Sequence, residues 1–390
     1  MTVTPASSSS TRVLRLRLKD KHASVLQQMA RDVNLVWNYS QDLALKVFER
    51  ERRFISAFDI AAYTRGATRE GLNLHSQTVQ AVSEEYVLRR KQHKKVKLRW
   101  RVSRGSRRSL GWVPFKASAL RYRNGQLFLS GFDKPLSLWD SYGLAGYELG
   151  PGNISEDARG RWYLNVTVKV QKAERSTGKS AISIDLGLKD FAAFSEGDSV
   201  PAEKFYRDLE PKLTVAQRAN KKHRVRAIHA KIANRRKDFL HKLSTELVKR
   251  HGAIFVGNVN ASALAQTRMA KSVLDAGWST FRTMLQYKCD DAGVWFEEVN
   301  EAYSSQTCSA CFARSGPRGL EGLRIREWTC STCGAAPHRD TNAARVILAR
   351  GHARLVGGIP ALKDGEGVKT SKAAIRKGAQ KRSLNETIIN

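Results

Sequence analysis

Cys308-Ser-Ala-Cys311, eighteen intervening residues, Cys330-Ser-Thr-Cys333 and then His338-Arg-Asp-Thr-Asn-Ala-Ala344 form the stretch from which the rest of the chain is read. Two Cys-x-x-Cys knuckles at that separation are the pattern of a four-thiolate zinc site. A thiolate pair two residues apart spans one edge of a tetrahedron with Zn–S near ~2.3 Å, and the second knuckle supplies the opposite edge. Four protein ligands leave no open position, so a zinc ion on Cys308, Cys311, Cys330 and Cys333 is structural. Disulfides or unligated core thiols are the competing reading. They conflict with a chain that shows no export signal and would meet a reducing cytosol. Cys289 lies outside both knuckles and reads as a buried small apolar residue. Asp340 follows the last thiolate by seven residues and opens an amphipathic run through Ala343, Ala344, Val346, Ile347 and Leu348. The ribbon therefore delivers a carboxylate to a helix start, and that carboxylate needs partners elsewhere.

The 390 residues carry 68 Lys and Arg against 36 Asp and Glu, a formal net charge of +32. Hydrophobic residues make up 41%, enough for two or three domains with real cores. A positive excess spread along the whole chain implies a large polyanion rather than one acidic metabolite, so nucleic acid is the expected partner. A ribosome-associated or histone-like binder would share that charge, but not the carboxylate and thiolate constellation. No run of eighteen apolar residues occurs and Met1 to Ser10 is polar, so neither a membrane span nor a secretory leader is expected. The expected location is the bacterial cytosol, at the nucleoid.

Periodicity orders the remaining segments. Arg12 to Leu18 alternates as a strand, and Leu26, Met29, Val33, Val36, Trp37, Leu43 and Val47 mark a long helix. A second helix through Val79, Val82 and Tyr86 ends in the basic run Arg89 to Lys97. Leu98–Val102, Gly111–Lys116, Leu120–Ser130 and Arg161–Val170 read as short strands, with Asn124-Gly125 as a hairpin turn. Such spacing suggests a small barrel. Beyond a linker at Gln171–Lys179, Ala181-Ile-Ser-Ile-Asp185 is an apolar strand ending in a carboxylate, with Gly187 turning into the next strand. Lys212–Arg250 reads as one basic helical region, Ala253–Val256 as a buried strand, Met269–Lys288 as a helix and Val294–Val299 as a strand. From Gly351 the chain is Gly-, Lys- and Ser-rich and reads as a mobile basic tail.

These residues resemble TnpB, the accessory protein of insertion sequences, and its relatives the type V CRISPR effectors. The matching pieces are Ile184-Asp-Leu-Gly-Leu-Lys-Asp190, Tyr303-Ser-Ser-Gln-Thr-Cys308-Ser-Ala-Cys311, Cys330-Ser-Thr-Cys333-Gly334 and Arg339-Asp-Thr-Asn-Ala-Ala344. Leu110-Gly-Trp-Val-Pro-Phe-Lys116 and Trp37-Asn38 match more loosely. The resemblance implies an α/β multidomain chain. Residues 1–172 would form a wedge β-barrel with a helical recognition module inserted at about 19–97. Residues 179–301 would begin an RNase H-like RuvC nuclease core that includes the basic region 212–250. A zinc ribbon at 302–337, a last RuvC segment at 338–350 and the tail at 351–390 would follow. The implied activity is RNA-guided cutting of double-stranded DNA beside a short flanking motif. A guide RNA from the transposon end reads the sequence by base pairing.

One position departs from the family pattern. Its RuvC sites use three acids, of which Asp185 and Asp340 fill the outer two, while Gly257 stands where the glutamate belongs. Two readings compete. In one the chain is a nuclease-inactive, RNA-guided repressor. In the other the glutamate has moved to the neighbouring strand, with Glu301 the first choice, Glu298 the second, and Glu297 beside them. Parallel neighbours end at one sheet edge about 4.8 Å apart, and a missing side chain at Gly257 opens room. Asp185, Glu301 and Asp340 would then be catalytic, binding two Mg²⁺ ions for phosphodiester hydrolysis.

Overall fold

The computed structural model describes residues 9–173, 179–267, 269–322 and 324–356. In the N-terminal lobe, β1 (Ser9–Arg17) leads into α1 (Ala23–Glu51), α2 (Ala57–Tyr63) and α3 (Ser76–His93). Strands β2 (Trp112–Phe115), β3 (Leu120–Arg123), β4 (Gln126–Leu129), β5 (Leu149–Glu156) and β6 (Trp162–Gln171) complete it. Alternation along β1 buries Leu14 and Leu16, and the 3.6-residue stripe of α1 buries Leu26, Met29, Val33, Val36 and Trp37 in the same core. A capping box of Ser56 and Asp59 starts α2. Trp37 meets Tyr86 of α3 edge-on at 5.3 Å, locking α1 to α3.

Where the sequence suggests a small barrel, the described residues form an open four-stranded antiparallel sheet, β1-β6-β5-β2, and a separate β3–β4 hairpin. Single bridges Leu18–Leu138 and Leu136–Leu127 carry the β1 edge toward the hairpin. Asn124 and Gly125 both have positive φ (48° and 73°), the geometry a two-residue hairpin turn demands. One expected strand is absent. Leu98–Val102 forms no strand and bonds to side-chain amides of α1: Leu98 N–H donates to Gln41 Oε1 (2.9 Å), and Arg101 N–H donates to Asn38 Oδ1 (2.8 Å). These amides take the place of a strand ladder.

The C-terminal lobe begins with β7 (Ala181–Leu186), β8 (Asp190–Phe194) and β9 (Ser199–Pro201). It continues through α4 (Glu210–Arg218), α5 (Lys222–Arg250), β10 (Ala253–Gly257), α6 (Ala261–Leu264), α7 (Ala270–Ala276) and α8 (Trp278–Ala292). β11 (Trp295–Val299), α9 (Gly319–Gly322) and α10 (Arg339–Val356) close it. The sheet order is β11-β10-β7-β8-β9. β10 runs parallel to both β7 and β11, whereas β8 and β9 are antiparallel to their neighbours. On one face Ile182, Ile184, Ile254 and Val256 pack with Leu240, Leu247, Phe281 and Leu285 of α5 and α8. The other face, which carries Ser183 and by alternation Asp185, is covered by α10, whose Ala344 carbonyl accepts from Ser183 Oγ.

Three helical expectations are corrected. The basic region 212–250 is broken where Asn220 turns left-handed (φ 51°), ending α4 before α5. The expected helix over 269–288 splits at Gly277 (φ 73°) into α7 and α8. The expected tail does not begin at 351: α10 continues to Val356, and 357–390 lie outside the described residues. Gly351 is a packing residue rather than a helix stop, since a Cβ there would meet the Phe255 ring at 2.2 Å.

Candidate active site

β7 and β10 are neighbouring parallel strands, so Asp185 and Gly257 emerge at the same sheet edge. β11 pairs with the other side of β10, Gly257 opposite Val299. Asn258 then shapes the chain beyond β11: its N–H donates to Val299 O (3.0 Å) and its Oδ1 accepts from Glu301 N–H (3.2 Å). That turn sends the Glu301 side chain back over β10. A Cβ built on Gly257 would lie 2.2 Å from Glu301 Oε2 and 3.3 Å from Glu301 Cβ. The space that the glycine leaves is thus filled by the carboxylate of the next strand.

Asp340 arrives from the first turn of α10, and the residues around it explain the Arg-Asp-x-Asn-Ala-Ala motif. Ala343 and Ala344 are buried where the helix lies on the sheet. Asn342 is fully buried; its Oδ1 accepts from Ser309 N–H (2.8 Å) and its Nδ2 donates to Thr307 O (2.6 Å), tying α10 to the first knuckle. Arg339 donates to Gly322 O and to Ser305 Oγ.

The electrostatics bear the mark of convergence. Burial pushes the Asp185 carboxyl up to about 8, with the Glu301 and Asp340 carboxylates adding to the rise and Arg339 and Arg326 opposing it. Burial also raises Glu301, against the pull of Arg282, and Glu301 Oε2 is buried without a hydrogen-bond partner. Three carboxyl groups, one with an orphaned oxygen and one raised by burial and by the charge of the other two, suit a hard divalent cation. Among the described residues, only the four cysteines hold at least three ligand atoms within 4.8 Å of one another, so the carboxylates are spaced more widely. Glu298 and Glu297 point elsewhere, paired with Arg282 (3.1 Å) and Arg354 (2.7 Å).

Arg326 is a site residue that sequence reasoning missed. Its Nη1 donates to Asp340 Oδ1 (2.7 Å) and Oδ2 (2.6 Å). It is positioned where the ribbon pairs with itself at Glu327 and His338, and Arg339 N–H donates to Arg326 O (2.6 Å). No local pattern marks one guanidinium among 68 basic residues.

In the ribbon, Cys308 and Cys333 Sγ lie 3.7 Å apart and Cys311 and Cys330 Sγ 3.6 Å apart. A tetrahedral Zn–S₄ site with bonds near ~2.3 Å needs sulfurs about 3.8 Å apart, so the cluster is compatible with structural zinc. Each knuckle closes with matching bonds. Phe312 N–H donates to Cys308 O and Gly334 N–H to Cys330 O, both at 2.9 Å, with positive φ at both donors. Cys289 is fully buried away from the cluster, and burial pushes its thiol up to about 12. One large cavity has none of the three carboxylates in its lining. It is a cleft of about 1240 Å³ between β1 and the helices α5 and α8, lined by Arg12, Arg15, Lys237, Lys249 and Lys288 among others. No helix among the described residues is long and apolar enough to cross a membrane.

A five-stranded α/β core with carboxylates directed toward one sheet edge, interrupted by a thiolate ribbon, fits a class of nucleic-acid-processing proteins. Comparisons narrow it. The family model "Probable transposase" matches residues 165–268 and the "Cas12f1-like, TNB domain" model matches residues 278–347. A Streptomyces pristinaespiralis protein named "Putative RNA-guided DNA endonuclease" is 31% identical over 93% of this chain and 94% of its own length. The CRISPR-associated endodeoxyribonuclease Cas12f1 of Sulfoacidibacillus thermotolerans is 26% identical over 50% of this chain and 51% of its own. Among solved structures, a Cas12f1–sgRNA–target DNA complex superposes with a TM-score of 0.56 at 12% identity, covering 87% of this chain and 98% of that one, a likeness of fold. The chain belongs to the TnpB family of RNA-guided DNA endonucleases.

Proposed function

We propose that this protein is a TnpB-type RNA-guided DNA endonuclease whose RuvC-type site has kept its third acid by moving it from β10 to Glu301, two residues beyond β11. The observation that carries the reading is Glu301 Oε2 seated in the volume a Cβ of Gly257 would claim, among groups that raise Asp185. The sheet order supports an RNase H-like core. The net charge of +32 and the basic cleft support a guide RNA and a DNA duplex as partners, bound with strong salt dependence.

Asp185, Glu301 and Asp340 are the residues that would hold Mg²⁺. When bound, such ions lower the pKa of a bound water and stabilise the oxygens of an in-line phosphodiester displacement. The chain's own contribution is positional. The sheet edge fixes Asp185, the Asn258 turn fixes Glu301, and the thiolate ribbon fixes Asp340 through Asn342. Arg326 holds Asp340 and presents guanidinium donors that match phosphate oxygens.

The test is purification with co-expressed flanking DNA, sequencing of the bound RNA, and incubation with a matching duplex and Mg²⁺. Guided double-strand cuts, lost in Asp185→Ala and Asp340→Ala with DNA binding kept, are expected. Undiminished cutting by Asp185→Ala would refute the assignment. The second reading, guided occupancy without cutting, rests on the wider spacing of the carboxylates and the engagement of Asp340 by Arg326. Binding without cuts under the same conditions would establish it.

A further inference from the structure

Two residues past Glu301, Tyr303 adopts a left-handed backbone (φ 61°) that disfavours a bulky side chain. The surroundings impose it. Tyr303 O accepts from Gln306 N–H and Thr307 N–H, both at 3.0 Å, and from Thr307 Oγ1 at 2.9 Å, while Ser304 N–H donates to Glu301 O at 2.9 Å. Tyr303 and Glu301 therefore share one pinned turn. Tyr303 is 55% exposed, with the Arg314 guanidinium 3.3 Å from its ring centroid. Arg314 is itself anchored, donating from Nε to Gln306 Oε1 (3.2 Å), and Gly316 N–H donates to Gln306 O (2.8 Å). An aromatic residue fixed in a strained backbone, with a cation over its ring and more than half of its surface exposed, is built to be covered. The fold does not cover it.

We infer that Tyr303, stacked on Arg314, is a base platform that seats one nucleobase of single-stranded DNA beside the carboxylate site and so positions the strand for cutting. Stacking tolerates any base, as a nuclease whose sequence is read by a guide requires, and Arg314 adds a charge for the adjoining phosphate. The inference rests on the nuclease reading, and its test separates the two.

The guide-loaded, full-length protein is titrated with a single-stranded oligonucleotide carrying 2-aminopurine, first in an Asp185→Ala background that removes cutting and then with Asp185 intact. Binding is expected to quench the fluorescence. Tyr303→Leu is expected to abolish the quench, weaken binding about 5- to 150-fold, and slow guided cutting comparably, whereas Tyr303→Phe keeps all three. Unchanged zinc content and circular dichroism show that the leucine variant folds; Arg314→Gln, which removes the backing cation, serves as a second variant. Equal quenching and affinity in Tyr303→Leu and its parent would overturn the platform. A parent that quenches but never cuts would instead sink the nuclease reading and leave the platform standing as a binding device.

Discussion

Replacing Gly257 by alanine separates the position of Glu301 from the stability of the sheet. The new Cβ would lie 2.2 Å from Glu301 Oε2 and 3.1 Å from Ile347 Cδ1. Ordinary contact between such atoms begins near ~3.5 Å, so the carboxylate oxygen must retreat by more than ~1 Å. Gly257 has no positive φ, so the backbone accepts alanine without strain. Because the displaced atom ends a flexible side chain, the stability cost should sit at or below the low end of the ~1–3 kcal/mol typical of overpacking. Function is less forgiving, since a misplacement of about 1 Å in a reacting constellation costs on the order of 100-fold in rate. Glu301→Ala should cost at least as much, because loss of an outer-shell partner alone removes about 10–100-fold. The decisive variant is Gly257→Glu combined with Glu301→Ala, which returns the acid to β10 and vacates the space it needs. It should recover activity to within about tenfold of the parent, giving strong coupling in the double-mutant cycle. Guided cleavage under single-turnover conditions gives the rates, and thermal melting gives the stabilities. Parental cutting by both single variants would show that Glu301 is idle.

Glu298→Ala and Glu297→Ala remove acids already engaged by Arg282 and Arg354, and each should leave the guided cutting rate within about twofold. A hundredfold loss in Glu298→Ala would reinstate it as the third ligand. Cys330→Ser should release zinc and lower cutting while guide RNA affinity persists. Metal analysis should give one zinc per chain in the parent, and RNA binding by filter assay separates a local effect from unfolding. For Asp185 the folded carboxyl is raised from 3.8 to about 8, so the native state keeps a proton that the unfolded chain has lost. The metal-free protein should therefore lose stability as pH rises between about 4 and about 8, by up to about 1.4 kcal/mol per unit. Melting temperatures should show that slope flattened in Asp185→Asn, and an unchanged slope would refute burial of the carboxyl as its source.

Legibility in the sequence followed the range of the interactions. Strand β10 was readable because full burial on two faces leaves an uninterrupted apolar run, Ala253–Val256, and β7 because Ile182, Ile184 and Leu186 alternate with Ser183 and Asp185. The knuckles were readable because metal geometry fixes the spacing of ligands along the chain. Glu301 was legible only through a deficit, the missing side chain at Gly257. That Glu301 rather than Glu298 lies against Gly257 depends on the Asn258 turn, a hydrogen bond spanning 43 residues that no periodicity carries. The breaks at Asn220 and Gly277 were hidden because single left-handed residues interrupt otherwise helical patterns. Leu98–Val102 misread as a strand because its alternation serves side-chain amides of α1 instead of a ladder.

The ribbon's relation to the carboxylates follows from the same accounting of long-range contacts. Its return segment passes through Arg326, turns within the second thiolate knuckle, and comes back to pair Glu327 with His338, immediately before Arg339 and Asp340. Both partners of the Arg326–Asp340 ion pair therefore leave one short bridge, and the thiolates close the loop between them. Asn342 adds a second tether, from α10 to the first knuckle. Zinc loss would free both ends of this arrangement at once, although the cysteines contribute no atom to the carboxylate cluster. Ser183 and the buried alanines would still hold α10 on the sheet, so the helix should outlast the orientation of its first turn. On this geometry a thiolate site and an oxygen site, chemically unlike, behave as one unit. A zinc on the four thiolates would fix where Asp340 stands, and the two hydrogen bonds from Arg326 hold that carboxylate in its orientation.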